Sequence, residues 1–227
     1  MSKLKAFYAK YKHGIPVPIY VIFYLTWFSI IEKSVTKGYW VIHMDIDDVI
    51  PFCEVFIVPY LLWFLYIAVV VVYFFLTNKD DYFKTCMFLF TGMTIFLLIS
   101  TLWPNGHHLR PVEMPRDNIF TALVSGLYNT DTPTNLWPSI HVYNSIGAHI
   151  AIMKSKALEH NRVVRIGSFI LAGSIILSTM FLKQHSVFDV VTAFIMAAVM
   201  YVVVYKLDLV LAIRMMREKR KTRPQIS

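Results

Sequence analysis

His185-Ser186-Val187-Phe188-Asp189 runs straight into VVTAFIMAAVMYVVVY, residues 190–205. The second piece is almost unbroken Val, Ala, Ile, Met, Phe and Tyr, and with its opening it reaches the roughly 20 residues that cross a bilayer as a helix. A membrane helix here implies a helical membrane fold for the chain. It also stands a histidine and an aspartate at the mouth of that helix, where i,i+4 spacing puts them on one face. A carboxylate one turn into an apolar segment is costly without a partner, and the imidazole is the partner on offer. Such a pairing fixes the histidine tautomer and raises its basicity, which is how a nucleophile or base is prepared. Simple neutralisation of a buried acid explains the same pair, so this stretch alone leaves both readings open.

The rest of the chain repeats the apolar pattern. Of 227 residues, 57% are hydrophobic and 16% charged, too little polar surface to cover a water-soluble globule. Apolar runs extend over Pro16 to Ile31, Ile50 to Leu76, Tyr82 to Trp103, Ser139 to Met153, Val163 to Leu182 and His185 to Tyr205. The expectation is an all-α, six-span transmembrane helical bundle forming one membrane domain over residues 1–227. The fourth run carries Ser139, His141, Asn144, Ser145 and His149, as expected of a helix lining the bundle interior.

A net charge of +8 raises the question of nucleic acid, but its distribution answers otherwise. With the N-terminus inside, 17 of the 22 Lys and Arg fall on inner segments, and only Lys33, Lys37, Arg110, Arg116 and Lys183 fall outside. That bias predicts a multi-pass protein of the cell membrane with both termini cytoplasmic and no nucleic-acid partner. The basic tail from Arg214 to Arg223 reads as a topology anchor, with contact to anionic headgroups as the alternative. Lysines ahead of the first apolar run resemble a signal peptide, but Glu32-Lys33-Ser34-Val35 is no cleavage site, so a retained span is expected. Cys53 and Cys86 suggest neither a disulfide framework nor a metal site.

Between the third and fourth runs lies a loop from Pro104 to Pro138 with five prolines, long enough to expect a functional role. Earlier, Asp45, Asp47 and Asp48 precede Ile50-Pro51, and Asp47 or Asp48 is placed to cap the second span. Contact with a headgroup or cation is the sharper alternative for these acids. Pro59 is expected to kink that span.

Alternating spans bring three polar clusters to one side: Arg110-Pro111, Pro138-Ser139-Ile140-His141, and His185 to Asp189. Together they hold the parts of a phosphoryl-transfer site. Arg110 offers a planar cationic fork. Ser139 and the free amides at a helix start offer further donors to an anion. His141 can protonate a leaving oxygen while His185, oriented by Asp189, attacks phosphorus. Taken singly, Arg110 is as readily an interface anchor, Ser139 an N-cap and His141 a satisfied interior histidine. His107, His108 and His149 default to loop or interior polar roles, and Arg116 is a possible second phosphate contact.

These signatures, in this order and spacing, resemble the type 2 phosphatidic acid phosphatase superfamily over the core from residue 103 to residue 190. The resemblance implies a hydrolase of lipid metabolism: a metal- and cofactor-independent lipid phosphatase acting at the outer membrane interface through a phosphohistidine on His185. It further implies His141 as acid, Asp189 as orienting residue, and Arg110 and Ser139 holding phosphate. The chain departs from the family pattern at three points: Trp103 stands where a lysine is usual, Ile140 where a glycine is usual, and Ser178-Thr179 where Ser-Arg is usual. Lys183 is the candidate to replace one lost charge. These departures resemble the branch containing inositol phosphorylceramide synthase and sphingomyelin synthase, which raises lipid phosphotransfer or headgroup transfer as the alternative. A non-catalytic lipid binder or transporter is the reading from a different class. A phosphorylated lipid is the expected partner in each case.

Overall fold

The computed structural model describes residues 3–210 together with Ile213 and Met215; the basic tail from Arg214 to Arg223 lies outside the described residues apart from that one methionine. The fold is an all-α bundle. Its helices are α1 (Lys3–Tyr11), α2 (Pro16–Ser34), α3 (Asp45–Val49), α4 (Ile57–Thr77), α5 (Lys79–Leu102), α6 (Ile119–Thr130), α7 (Ile140–Lys154), α8 (Arg162–Phe181) and α9 (Val187–Tyr201). A π-helical turn, Val202–Lys206, continues α9. Two short strands, β1 (Trp40–Val41) and β2 (Asn105–Gly106), pair in parallel.

Most helix starts are written in the sequence. Asn78 Oδ1 accepts from the Asp80 and Asp81 amides, Asn161 Oδ1 from Val164, and Asn118 Oδ1 from Phe120 and Thr121. Each cap satisfies amides that the first helical turn leaves without partners.

Among the described residues, five stretches are long and apolar enough to cross a membrane: Phe7–Ser34, Glu54–Thr77, Lys79–Leu102, Arg162–Phe181 and Val187–Lys206. The expected sixth, α7, is 15 residues, about 22 Å, and falls short of a hydrocarbon core of about 30 Å. It is instead the centre of the bundle, packed against α4, α5, α8 and α9. A helix surrounded by protein meets little lipid, which is why it tolerates Asn144 and Ser145, both buried. Two glycines set how closely α5 and α7 approach. A Cβ at Gly92 would lie 2.0 Å from the Tyr143 ring, and one at Gly147 would lie 2.5 Å from Phe88. Small residues at such crossings let backbones close up where no hydrophobic effect drives association.

Two expectations for the second span fail together. The helix begins at Ile57, and residues 51–53 carry no helix ahead of the single 3₁₀ turn Glu54–Phe56. Pro51 is therefore not its first residue, and neither Asp47 nor Asp48 caps it. Pro59 sits in the first turn, where its missing N–H has no intrahelical acceptor to lose, so it does not break the helix there.

The polar ends gather at one end of the bundle. Trp40 N–H donates to Pro104 O at 2.8 Å, Cys53 N–H to Phe181 O at 2.9 Å, and Thr132 N–H to Glu32 Oε1 at 3.0 Å. The opposite end is tied by His13 to Phe75 O, Ser155 to Asp81, and the ion pair Lys84–Asp208. The long Pro104–Pro138 segment is not a plain loop: α6 lies within it, with Thr121 and Val124 buried.

Candidate active site

His185 occupies a tight turn between α8 and α9. The amides of Gln184 and His185 both donate to Thr179 O, at 2.9 and 3.0 Å, and Lys183 takes a left-handed φ of 52°. Ser186 then caps α9, its hydroxyl accepting from the Phe188 amide at 3.1 Å. Asp189 closes the box by accepting the Ser186 amide at 3.0 Å through Oδ2. That same oxygen lies 3.3 Å from His185 Nδ1, and both side chains are buried. The i,i+4 pairing expected from the sequence is therefore formed, with the carboxylate on Nδ1. Among the described residues, His185 Nε2 has no hydrogen-bond partner, and it is not among the fully enclosed side-chain atoms.

His141 lies in the first turn of α7, behind Ser139, whose Oγ accepts from the Val142 amide. Its ring is wedged between Tyr60 and Trp63 of α4, at centroid distances of 4.6 and 4.4 Å. Those two faces fix the ring plane. Its Nδ1 is enclosed without a hydrogen-bond partner, so Nε2 is the nitrogen left for proton exchange. The His141 and His185 ring centroids are 5.9 Å apart, so one small group can touch both. Ser139 N–H donates to Asp189 O at 3.4 Å, which stitches the starts of α7 and α9 together.

Arg110 is nearby but differently employed. Its Nη1 donates to Tyr128 O and Asp131 O at 3.3 and 2.7 Å, and its Nη2 to Thr132 O and Gln184 Oε1 at 3.2 and 2.6 Å. The guanidinium also covers the Tyr128 ring at 4.4 Å. The guanidinium thus buckles the end of α6 to the residue preceding His185. Among the described residues its Nε, buried, has no acceptor and is the one donor left for another oxygen. The expected free cationic fork is not present.

The other expected cations are engaged as well. Lys183 Nζ donates to Asp47 O and Ile50 O at 2.6 and 2.5 Å, closing the carbonyl end of α3. Arg116 makes a two-pronged pair with Glu54 at 2.6 and 2.5 Å. Neither supplies a free charge to the histidines.

Three further residues hold the site in place, in roles the sequence does not assign to them. Asp47, 2% exposed, accepts from the Val187 amide at 2.8 Å and the Ser186 hydroxyl at 2.6 Å, so it caps α9 from a distant segment. His107 donates from Nε2 to Gln184 O at 2.9 Å while its Nδ1 accepts the Leu109 amide. Burial pushes His107 down to about 4, which keeps it neutral and in that tautomer at ordinary pH. Gln184 is held at both ends, by His107 on its carbonyl and Arg110 on its side chain, leaving its buried Nε2 without an acceptor. Asp45 and Asp48 take no part; Asp48 pairs with His43 at the surface.

Below the buckle lies an acidic pair. Thr132 donates to Glu32 from both its amide and its hydroxyl, and burial pushes Asp131 up to about 6 against the pull of Arg110. The described residues include no group of three or more His, Cys, Asp or Glu arranged to hold a metal ion. No family model, curated protein or solved structure matches this chain.

Proposed function

We propose that this chain is an integral membrane enzyme that moves a phosphoryl group of a phosphorylated lipid through a phosphohistidine on His185. The observation that supports it most is the single juxtaposition of His141 and His185, with ring centroids 5.9 Å apart and Asp189 behind Nδ1 of the second. In this scheme His185 Nδ1–H donates to Asp189, which leaves the Nε2 lone pair to attack phosphorus. The bond from phosphorus to the lipid oxygen breaks, and His141 gives that oxygen its proton. Water then loses a proton to His141 and attacks the phosphohistidine, the P–N bond breaks, and inorganic phosphate leaves. Developing charge on the phosphoryl oxygens is met by Arg110 Nε, Gln184 Nε2 and the first amides of α7. The scheme calls for no metal or cofactor, and the charge bias of the loops supports a site at the extracytoplasmic interface.

Headgroup transfer is the second reading, and the engaged cations favour it. With Arg110, Arg116 and Lys183 bonded to protein acceptors, the donors that remain are mostly neutral. Such a site suits a phosphodiester, with one negative charge, better than a phosphomonoester with about two at neutral pH. In that case the second step delivers the phosphorus to the hydroxyl of an acceptor lipid instead of to water.

The test is to incubate the purified protein with labelled lipid phosphates and phosphodiesters, quench it, and look for acid-labile label on His185. Label on His185, lost in His185→Ala and both formed and discharged more slowly in His141→Ala, supports the reading. No label, release or transfer across the panel leaves a non-catalytic lipid binder or transporter. Complete inhibition by EDTA points instead to a metal enzyme.

A further inference from the structure

The bundle end opposite the histidine pair carries a second cluster that the proposed reaction does not use. Around the start of α8 and the far end of α7 lies an open cavity of about 750 Å³, lined among others by His149, His160, Arg162, Arg165, Ile166 and Phe169. It has two halves of different chemistry.

One half is cationic. Arg165 is positioned by its own bonds, Nη1 to Glu159 O at 2.7 Å and Nε against Met153 Sδ at 3.2 Å, which leaves further N–H groups directed elsewhere. Arg162 is exposed and has no carboxylate partner among the described residues. Among the described residues, Glu159 is the one acid lining the cavity. The floor is polar too: His149 Nδ1 bonds Ser168 Oγ at 2.9 Å, and that oxygen bonds Tyr66 OH at 2.7 Å. These bonds fix the imidazole, and among the described residues its Nε2 has no hydrogen-bond partner.

The other half is apolar. Ile166 and Phe169 are 58% and 64% exposed, one turn below the arginines on the same helix. A soluble anion would leave them uncovered; an acyl chain running along α8 would cover them.

We infer that this groove binds an anionic phospholipid, its phosphate on Arg162 and Arg165 and its acyl chain along Ile166 and Phe169. Charge complementarity argues for it: two guanidiniums against one carboxylate call for a singly charged phosphodiester. The position argues likewise, because basic residues at the ends of spans face the headgroup layer. Since α7 carries His141 in its first turn and His149 two turns further on, the bound lipid would rest on the helix that bears one of the paired histidines.

The experiment uses the full chain in nanodiscs of phosphatidylcholine doped with phosphatidylglycerol, followed by release and native mass spectrometry to count retained lipid. Preferential retention of the anionic lipid is expected. It should fall several-fold in the double variant Arg162→Gln, Arg165→Gln, and also in Phe169→Ser, which keeps both charges. Lys156→Gln, a charge change at the same end outside the groove, should leave retention as it was. Equal retention of the two lipids overturns the inference. So does an equal loss in Lys156→Gln, which would mean attraction by general surface charge, or displacement of the lipid by millimolar inorganic phosphate, which would mean a site for a free anion. Melting temperatures separate loss of the site from loss of fold, and Phe169→Ser stands as the independent arm if the arginine pair destabilises the chain.

Discussion

Asp47 and Ser186 stand 139 positions apart and share a hydrogen bond of 2.6 Å, with the Val187 amide on the other oxygen of the same carboxylate at 2.8 Å. A short helix in the segment between α2 and α4 thereby holds Ser186, the residue next to His185, at the start of the helix that carries Asp189. The carboxylate is buried and faces three donors, since the Met44 amide also reaches it at 2.9 Å. An amide in its place must turn an NH₂ toward N–H and O–H donors. Asp47→Asn is therefore expected to cost about 1.5–3 kcal/mol of stability and, by shifting His185, about 100-fold in turnover. Asp48→Asn, one position on and paired with exposed His43, should leave both unchanged. Thermal melting and turnover on the two variants decide it; equal behaviour of Asp47→Asn and Asp48→Asn removes the positioning role.

Arg110 links four acceptors on two segments, a geometry only a planar fork provides. Arg110→Lys keeps the charge but cannot reach them all. If the guanidinium mainly holds Gln184 and thereby His185, Arg110→Lys lowers the melting temperature and kcat together. If it mainly binds phosphate, KM rises while the melting temperature holds. The first outcome is expected, and circular-dichroism melts beside steady-state kinetics distinguish them.

The contact between α5 and α7 permits no side chain at residue 92. Gly92→Ala puts a carbon 2.0 Å from the buried Tyr143 ring, whose hydroxyl is fixed to Phe88 O at 2.7 Å and cannot swing aside freely. Overpacking of this kind costs about 1–3 kcal/mol. Gly126→Ala, where nothing lies within 4 Å of the added carbon, serves as the control and should not destabilise. Detergent-solubilised melts of the pair give the answer.

The apolar runs made the bundle legible because burial in lipid leaves a continuous signal, and the boundaries of α5, α8 and α9 fall within three residues of it at their N-termini. The run starting at Ile50 misled because Pro51 looks like a first helical residue, whereas the chain there crosses over the bundle end before turning down at Ile57. Helix α6 is masked by the prolines around it, although Asn118 followed by Thr121 and apolar residues at 119, 120, 123, 124 and 127 is a capped amphipathic pattern. His141, His185 and Asp189 could be named because their spacing carries chemistry. The roles of Asp47, His107 and Gln184 could not be read, since each acts on a partner 74 to 140 positions away. Arg110 shows the limit of the same reasoning: its identity was readable, but whether its donors faced an anion or four protein oxygens depended on where α6 ends.

His107 gives the site a pH dependence whose sign follows from its burial. The folded protein holds this imidazole neutral down to about 4, whereas the unfolded chain binds the proton near 6.5. Between those values the unfolded state carries the extra proton, so acid favours unfolding. The contribution is fully present above about pH 6.5 and is lost as pH falls toward 4. Asp131 works in the opposite direction: its carboxyl, pushed up to about 6, favours folding at low pH and loses that contribution as pH rises through 6. The two are separable by substitution. His107→Gln should flatten the decline of melting temperature between pH 6.5 and 4.5, at the cost of a lower plateau near pH 7.5, where the bond to Gln184 O is lost. Asp131→Asn should leave the decline and steepen it slightly. Melting curves of the three proteins over that range test the assignment, and an unchanged slope in His107→Gln would refute it.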